Sequence, residues 1–301
     1  MVLPMTALYV YAVARQKADH AADLIEIEGV DPQSTVYALT PPISSSHTGQ
    51  AGLGAIVSAV SSAEFHPDML KTHLADPEWL QVHVLAHQRV LTALLADYTV
   101  LPLQFCTLYN TEERVLDMIT ANYDRMEAAL DRLAGATEWG VKIFCDRAAL
   151  TSWAINSSDE LQPIRETIHT TSEGASYMLR KKIALAARQL AESLEQSCTQ
   201  ESHRRLSSIA RVAVSYPLRS ESREQSVGSR SQSSATPDPR LPTPDHLMVL
   251  NAAYLVDDRK QQRFEIELAR LHEEYAAIGF KYELTGPWPP YSFATIEEPH
   301  Q

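Results

Sequence analysis

The sequence predicts an α+β protein of two domains, and three observations carry that expectation. Strand-like runs and amphipathic helical stripes follow one another along the whole chain. The length, 301 residues, suits two domains of about 100–200 residues each. The second half spells strand, helix, strand, strand, helix, strand, the split βαβ order of a ferredoxin-like fold.

Leu8–Val13 is aromatic and branched, which reads as a strand. Shorter strands are expected at Thr35–Leu39 and Leu53–Val60. Asp76 then offers an N-cap, Pro77 suits a first turn and Glu78 complements the helix dipole. Leu80, Val84, His87, Leu91 and Leu94 fall on one stripe of the helix that follows, expected to end near Asp97. Val100–Phe105 reads as a strand. A second helix is expected from Asn110 to Gly135, with Val115, Ile119, Met126, Leu130 and Leu133 inward and Gly135 as its stop. The boundary is placed there, giving an N-terminal α+β domain over 1–136 and a C-terminal domain over 137–301.

In the second domain Trp139, Val141, Ile143 and Cys145 alternate as a half-buried strand. A loop is expected next, then a helix marked by Leu179, Ile183, Ala186, Leu190 and Leu194. Strands at 210–216 and 248–256 precede a helical stripe of Phe264, Leu268, Leu271, Tyr275 and Ile278. Phe280–Leu284 supplies a last strand, expected at a sheet edge. Ser220–Asp245 holds seven Ser and four Pro, which reads as a disordered insertion because so few large aliphatics cannot offset the entropy of ordering. Residues 285–301 read as an extended tail. The first half runs strand, strand, strand, helix, strand, close to the same order less its first helix.

A net charge of −12 argues against a whole-protein grip on phosphate backbones or anionic lipid, though not against a local basic patch. No stretch reaches the ~18–20 apolar residues of a membrane span. The start lacks a basic region and reads as a strand, not a signal peptide. Cys106, Cys145 and Cys198 are far apart, which fits a reducing cytoplasm better than a disulfide framework. The phosphate-cradling GxxxxGK[ST] and the GxSxG elbow are missing, and Gly52–Gly54 reads as a turn.

Three features invite a functional reading. His83 and His87 share a helical face at the spacing of zinc proteases, with His73 as a third candidate ligand. The general base that should follow the first histidine is replaced by Val84, which favours structural histidines. Arg180, Lys181 and Lys182 form a compact basic run, either a hold on an acidic partner or a solvated helix face. Pro287, Pro289 and Pro290 keep the tail extended, and Trp288, Tyr291 and Phe293 give it large apolar side chains. Such an arm could add to a partner's sheet edge or fold back onto its own domain.

These segments, YVYAVA, DPEWLQVHVLAHQRVLTALL, VLPLQFCTLYNTEERV, LDRLAGATEWGVKIFCDR, GASYMLRKK, LNAAYLVDD and YELTGPWPPYSFA, occur in an order that resembles the gas vesicle protein GvpL/GvpF family. The resemblance covers nearly the whole chain outside Ser220–Asp245 and other loops. It implies a non-enzymatic accessory or minor structural protein of gas vesicles, in the cytoplasm and on the vesicle. Such a protein assists shell assembly by binding the shell protein GvpA and other accessory proteins. No cofactor, metal, nucleic acid or membrane partner is implied. The implied fold is two α+β domains, the second a modified ferredoxin-like one, and no catalytic residues carry over. Arg180, Lys181, Lys182, Trp288, Tyr291 and Phe293 are the candidate partner-binding residues. The alternatives are a metal-dependent enzyme using His83 and His87, or a ligand-sensing ferredoxin-like module. Whether the chain is F-type or L-type stays open.

Overall fold

A computed structural model describes residues 6–15, 27–41, 52–218 and 246–295. The Ser/Pro-rich stretch 220–245 therefore lies outside the described residues. The architecture is α+β with two antiparallel sheets, one in each of two compact units. The first unit comprises the chain up to Glu138 together with the segment from Pro287 onward, and the second is Trp139–Gly286. The tail, expected in the C-terminal domain, thus belongs with the first unit.

The first unit is built on β1 (Thr6–Arg15), β2 (Tyr37–Leu39), β3 (Leu53–Ser61), β4 (Val100–Pro102) and β5 (Leu108–Tyr109). The sheet order is β2-β3-β1-β4, with β5 also on β1. Strand β1 is central, so its residues from Tyr9 to Val13 are completely buried. Its register against β3 slips between Val10 and Ala12. Tyr11 is the extra residue, a bulge in a strand whose Tyr9 and Tyr11 share one face. Helix α1 (Pro67–His73), which the sequence reading did not anticipate, precedes α2 (Pro77–Leu95). In α2 the Asp76 carboxylate accepts from the Glu78 amide at 3.0 Å, and His87, Val90, Leu91 and Leu94 face inward.

Two expectations for this unit need correction. The strand expected over Val100–Phe105 stops at Pro102. A turn follows, in which Cys106 takes a left-handed φ of 63° and β5 then re-engages β1. The single helix expected between Asn110 and Gly135 is two, α3 (Glu112–Ala121), capped by Thr111, and α4 (Tyr123–Leu133). Asn122 breaks them apart, its side-chain amide donating back to the Met118 carbonyl at 2.9 Å. This is the local competition with helix that Asn offers. Gly135 sits at φ 66° just beyond α4, as its stop position requires.

The second unit holds β6 (Ala136–Asp146) from Trp139 on, α5 (Arg147–Ser157), α6 (Gln162–Thr170), α7 (Glu173–Ser207), β7 (Val212–Ser215), β8 (His246–Asp257), α8 (Gln261–Ala276) and β9 (Phe280–Trp288) up to Gly286. Its sheet order is β7-β8-β6-β9, so β9 lies at an edge. Counted within its own unit, each sheet places its strands second, third, first, fourth. The alternating residues of β6 and β8 meet Phe264, Leu268 and Leu271 of α8 in one core.

The loop expected after β6 is instead α5 and α6, and α7 starts earlier and ends later than its large aliphatics suggested. Its continuing inward stripe is Ile183, Ala187, Ala191, Cys198, Ser202 and Leu206, mostly small residues that a hydrophobic pattern does not register. Strand β9 runs to Trp288, past the expected end at Leu284. Pro287 fits there because an edge strand has no partner on one side to miss its N–H.

Gly279 closes the α8–β9 turn at φ 101°, and a Cβ on it would lie 2.9 Å from the Asp146 carbonyl. Gly279→Ala is expected to destabilise the second unit by about 1–3 kcal/mol, readable as a lower urea midpoint. An unchanged midpoint would show that the turn relaxes freely.

Candidate functional site

The most distinctive chemistry of the first unit is a polar chain inside an aromatic core, centred on His87. Helix α2 carries His87 inward, with only 2% of its surface exposed. The Tyr9 hydroxyl lies 2.9 Å from Nδ1 and itself accepts the Cys106 amide at 2.9 Å. That bond holds the left-handed Cys106 turn in place. On the other side, the Tyr291 hydroxyl lies 2.5 Å from Nε2. The imidazole stacks on Tyr11 and meets Phe105 edge-on. Loss of water around the ring lowers its pKa to about 4, so at neutral pH it is an uncharged bridge between two hydroxyls. Burial also raises the Cys106 thiol to about 11, which leaves it protonated and a poor nucleophile.

The tail closes this site through three anchors. Pro289 and Pro290 are buried. Tyr291 reaches His87. Ser292 donates to the Glu138 carboxylate twice, from its amide at 3.0 Å and its hydroxyl at 2.5 Å. Glu138 is buried, and desolvation raises its pKa despite those two bonds. The Arg132 guanidinium adds a bond to the Thr295 carbonyl at 3.0 Å. The tail therefore packs on the first unit, not on the domain that the sequence reading gave it.

His83 and His73 do not converge on His87. The His83 Nδ1–H donates to the Trp79 carbonyl at 2.8 Å, and Nε2 lies 3.1 Å from Glu64. Trp79 stacks between His83 and His73, at centroid distances of 3.9 and 5.1 Å, and its indole N–H donates to Glu64 at 2.6 Å. Both nitrogens of His83 and both of His87 thus face protein groups, and a metal would have to displace them. Among the described residues no cluster of three metal-ligating side chains occurs.

The other sequence candidates fall in different places. Arg180, Lys181 and Lys182 are exposed on α7 in the second unit, with the Lys181 ammonium 5.2 Å from the centre of the Tyr177 ring. Trp288 and Tyr291 keep 41% and 40% of their surface exposed, and Phe293 is half-buried. The sequence reading missed Tyr9, Glu138 and Ser292. The alternation of β1 put Tyr9 on a face but named no partner for its hydroxyl, and a lone glutamate at a strand start carries no signal of burial.

A family model described as gas vesicle synthesis protein GvpL/GvpF matches residues 7–295. Gas vesicle protein L of Streptomyces sp. (strain CB03234) is 30% identical over 291 residues, 96% of this chain and 93% of that protein. Gas vesicle protein L2 of Halobacterium salinarum is 22% identical over 298 residues, 97% of this chain and 94% of that protein. The crystal structure of GvpF from Anabaena sp. PCC7120 shares the fold, with a TM-score of 0.63 at 20% identity, covering 97% of this chain and 100% of that one. With a family model spanning both units and a relative alike along nearly its full length, the chain belongs to the GvpL/GvpF family of gas vesicle synthesis proteins.

Proposed function

We propose that the chain is a non-enzymatic accessory protein of gas vesicles, acting in the cytoplasm and on the vesicle. In this reading it assists shell assembly by binding the shell protein GvpA and other accessory proteins. The single observation that carries it is the family match over residues 7–295. No helix among the described residues is long and apolar enough to cross a membrane.

The tail supplies a physical rationale. Its polar atoms are spent inward, on His87 and Glu138, while two-fifths of the Trp288 and Tyr291 surfaces face out. A shell subunit that will line a gas space carries apolar surface before it assembles, an aggregation hazard. Rigidly held aromatic rings are suited to cover such a segment and release it. Arg180, Lys181, Lys182 and the half-buried Phe293 are further candidate contacts. We also read the second unit as ferredoxin-like with an enlarged first crossover, because its strand order and helix placement suit that topology.

Co-purification of tagged full-length protein with GvpA from vesicle-forming cells tests the reading. The full chain is expected to capture GvpA. Trp288→Ala, which alters an exposed ring, is expected to weaken capture while circular dichroism stays unchanged. Failure of the full chain to retain any gas vesicle protein would sink the proposal.

A further inference from the structure

The second unit carries a basic groove in an otherwise acidic protein. Arg204, Arg205 and Ser208 at the end of α7 form one wall of a cavity of about 520 Å³. The other wall is Arg259 and, along α8, Arg263, Ile266 and Arg270, with Glu267 between the two. Five arginines thus face one glutamate in a chain of net charge −12. Arg259 sits in the 3-10 turn Asp258–Lys260 just before α8, and Arg263, Ile266 and Arg270 follow along one face of α8 at steps of three and four, a row of about 10 Å.

Part of this cluster has an internal explanation. Arg204 grips Glu201 with two bonds of 2.7 and 2.6 Å. Arg205 bridges Glu267 and Glu274 at 2.6 and 2.7 Å, and those carboxylates raise its pKa further. Both arginines also complement the negative end of α7. Arg270 makes only a long contact to Glu267, at 3.7 Å. Arg259 and Arg263 are exposed and have no carboxylate partner among the described residues. The first turn of α8, beside them, has no side-chain cap on its amides, which adds to the positive potential. Two guanidinium groups without a carboxylate partner among the described residues, beside two that hold one, make a surface suited to more of the same chemistry.

We propose that this groove docks an acidic segment of a protein partner, a helix or extended strand whose carboxylates align with Arg259, Arg263 and Arg270. Three observations favour that occupant over nucleic acid. The groove's apolar lining is Ile209 and Ile266, with no aromatic platform on which a base could stack. Glu267 on the groove's own wall, already gripped by Arg205, shows the carboxylate geometry it accepts and would repel a closely spaced phosphate chain. The net charge of −12 opposes a long polyanion more than a short acidic peptide. The proposal stands on the second unit's own residues and does not depend on the reading of the tail.

Fluorescence anisotropy on the intact protein tests it, with a labelled helical peptide bearing glutamates every three to four residues as probe. A matched glutamine peptide and a short single-stranded uridine RNA are the comparisons. The glutamate peptide is expected to bind, and the glutamine peptide is not. Replacing both Arg259 and Arg263 by Ala removes exposed groups without packing roles, so circular dichroism should not change. That double variant is expected to bind about tenfold more weakly, the sum of two exposed charge pairs. Raising salt from ~0.05 to ~0.5 M should weaken binding as well. Substituting Lys71 and Arg114 by Ala, both exposed on the first unit, should leave it unchanged. Equal binding of the glutamine peptide, no loss in the Arg259/Arg263 variant, tighter binding of the RNA, or no binding of the glutamate peptide would each overturn the proposal.

Discussion

Removing the chain from Pro289 onward is expected to lower the stability of the first unit by about 3–5 kcal/mol and to leave the second unit unchanged. The loss has three sources. Two buried prolines go. Nε2 of His87 loses the Tyr291 hydroxyl. Glu138, buried at 6% exposure, loses both donors from Ser292. Hydrogen exchange read by mass spectrometry separates the units: protection should fall in β1, β3 and α2 while β8 and α8 keep theirs. Tyr291→Phe is the milder variant, expected to cost about 1–2 kcal/mol because it keeps the ring and removes one bond. Unaltered protection in β1 after truncation would show that the tail is an ornament on a finished core.

Acid is expected to weaken the same unit through His87. Its folded-state pKa of about 4 lies below the ordinary 6.5, so the fold favours the neutral ring. The resulting stability is complete above the unfolded value of 6.5. It drains away as pH falls from there to about 4 and is absent below. That shift corresponds to about 3 kcal/mol. Glu138 works in the opposite sense: burial raises its pKa, so falling pH relieves an unfavourable charge. The wild-type slope is therefore the net of the two. His87→Gln removes the titration while keeping one donor and one acceptor. The difference between urea midpoints of wild type and variant, followed from pH 7 to 4, isolates the imidazole. Parallel profiles for wild type and His87→Gln would mean that the ring is hydrated in solution.

What the sequence made legible was what local chemistry alone decides. The run Asp76-Pro77-Glu78 announced the start of α2, Gly135 the end of α4, and the alternation at Trp139–Cys145 the strand β6. The C-terminal part of α7 was hidden because Ala187, Ala191, Cys198 and Ser202 pack inward without being large or apolar. Helix α5 was read as loop: Asp146 caps its Ala149 amide, but nothing periodic follows over its short length. Of the candidate site, His87 was legible as an inward residue on its stripe. Its partners Tyr9 and Tyr291 lie 78 and 204 residues away in sequence, and no local rule links them. The same distance hid the tail's true address: the prolines said extended, and only the buried Glu138 and His87 say where.

The second unit is inserted within the first, between Glu138 and Pro287, and this has a consequence for the order in which a newly made chain can mature. Synthesis delivers β1 to α4 early, but Tyr291 and Ser292 follow only after the roughly 150 residues of the inserted unit. At about 5–20 residues per second, that is a wait of roughly 7–30 s. Throughout it, His87 and Glu138 lack their closing partners and the aromatic core stays open to water. The inserted unit's last strand, β9, ends at Trp288, three residues before Tyr291, so its own strands arrive without interruption. The part made earliest is therefore the part sealed last, and a ribosome that stalls inside the insertion releases a chain whose opening domain has never been closed.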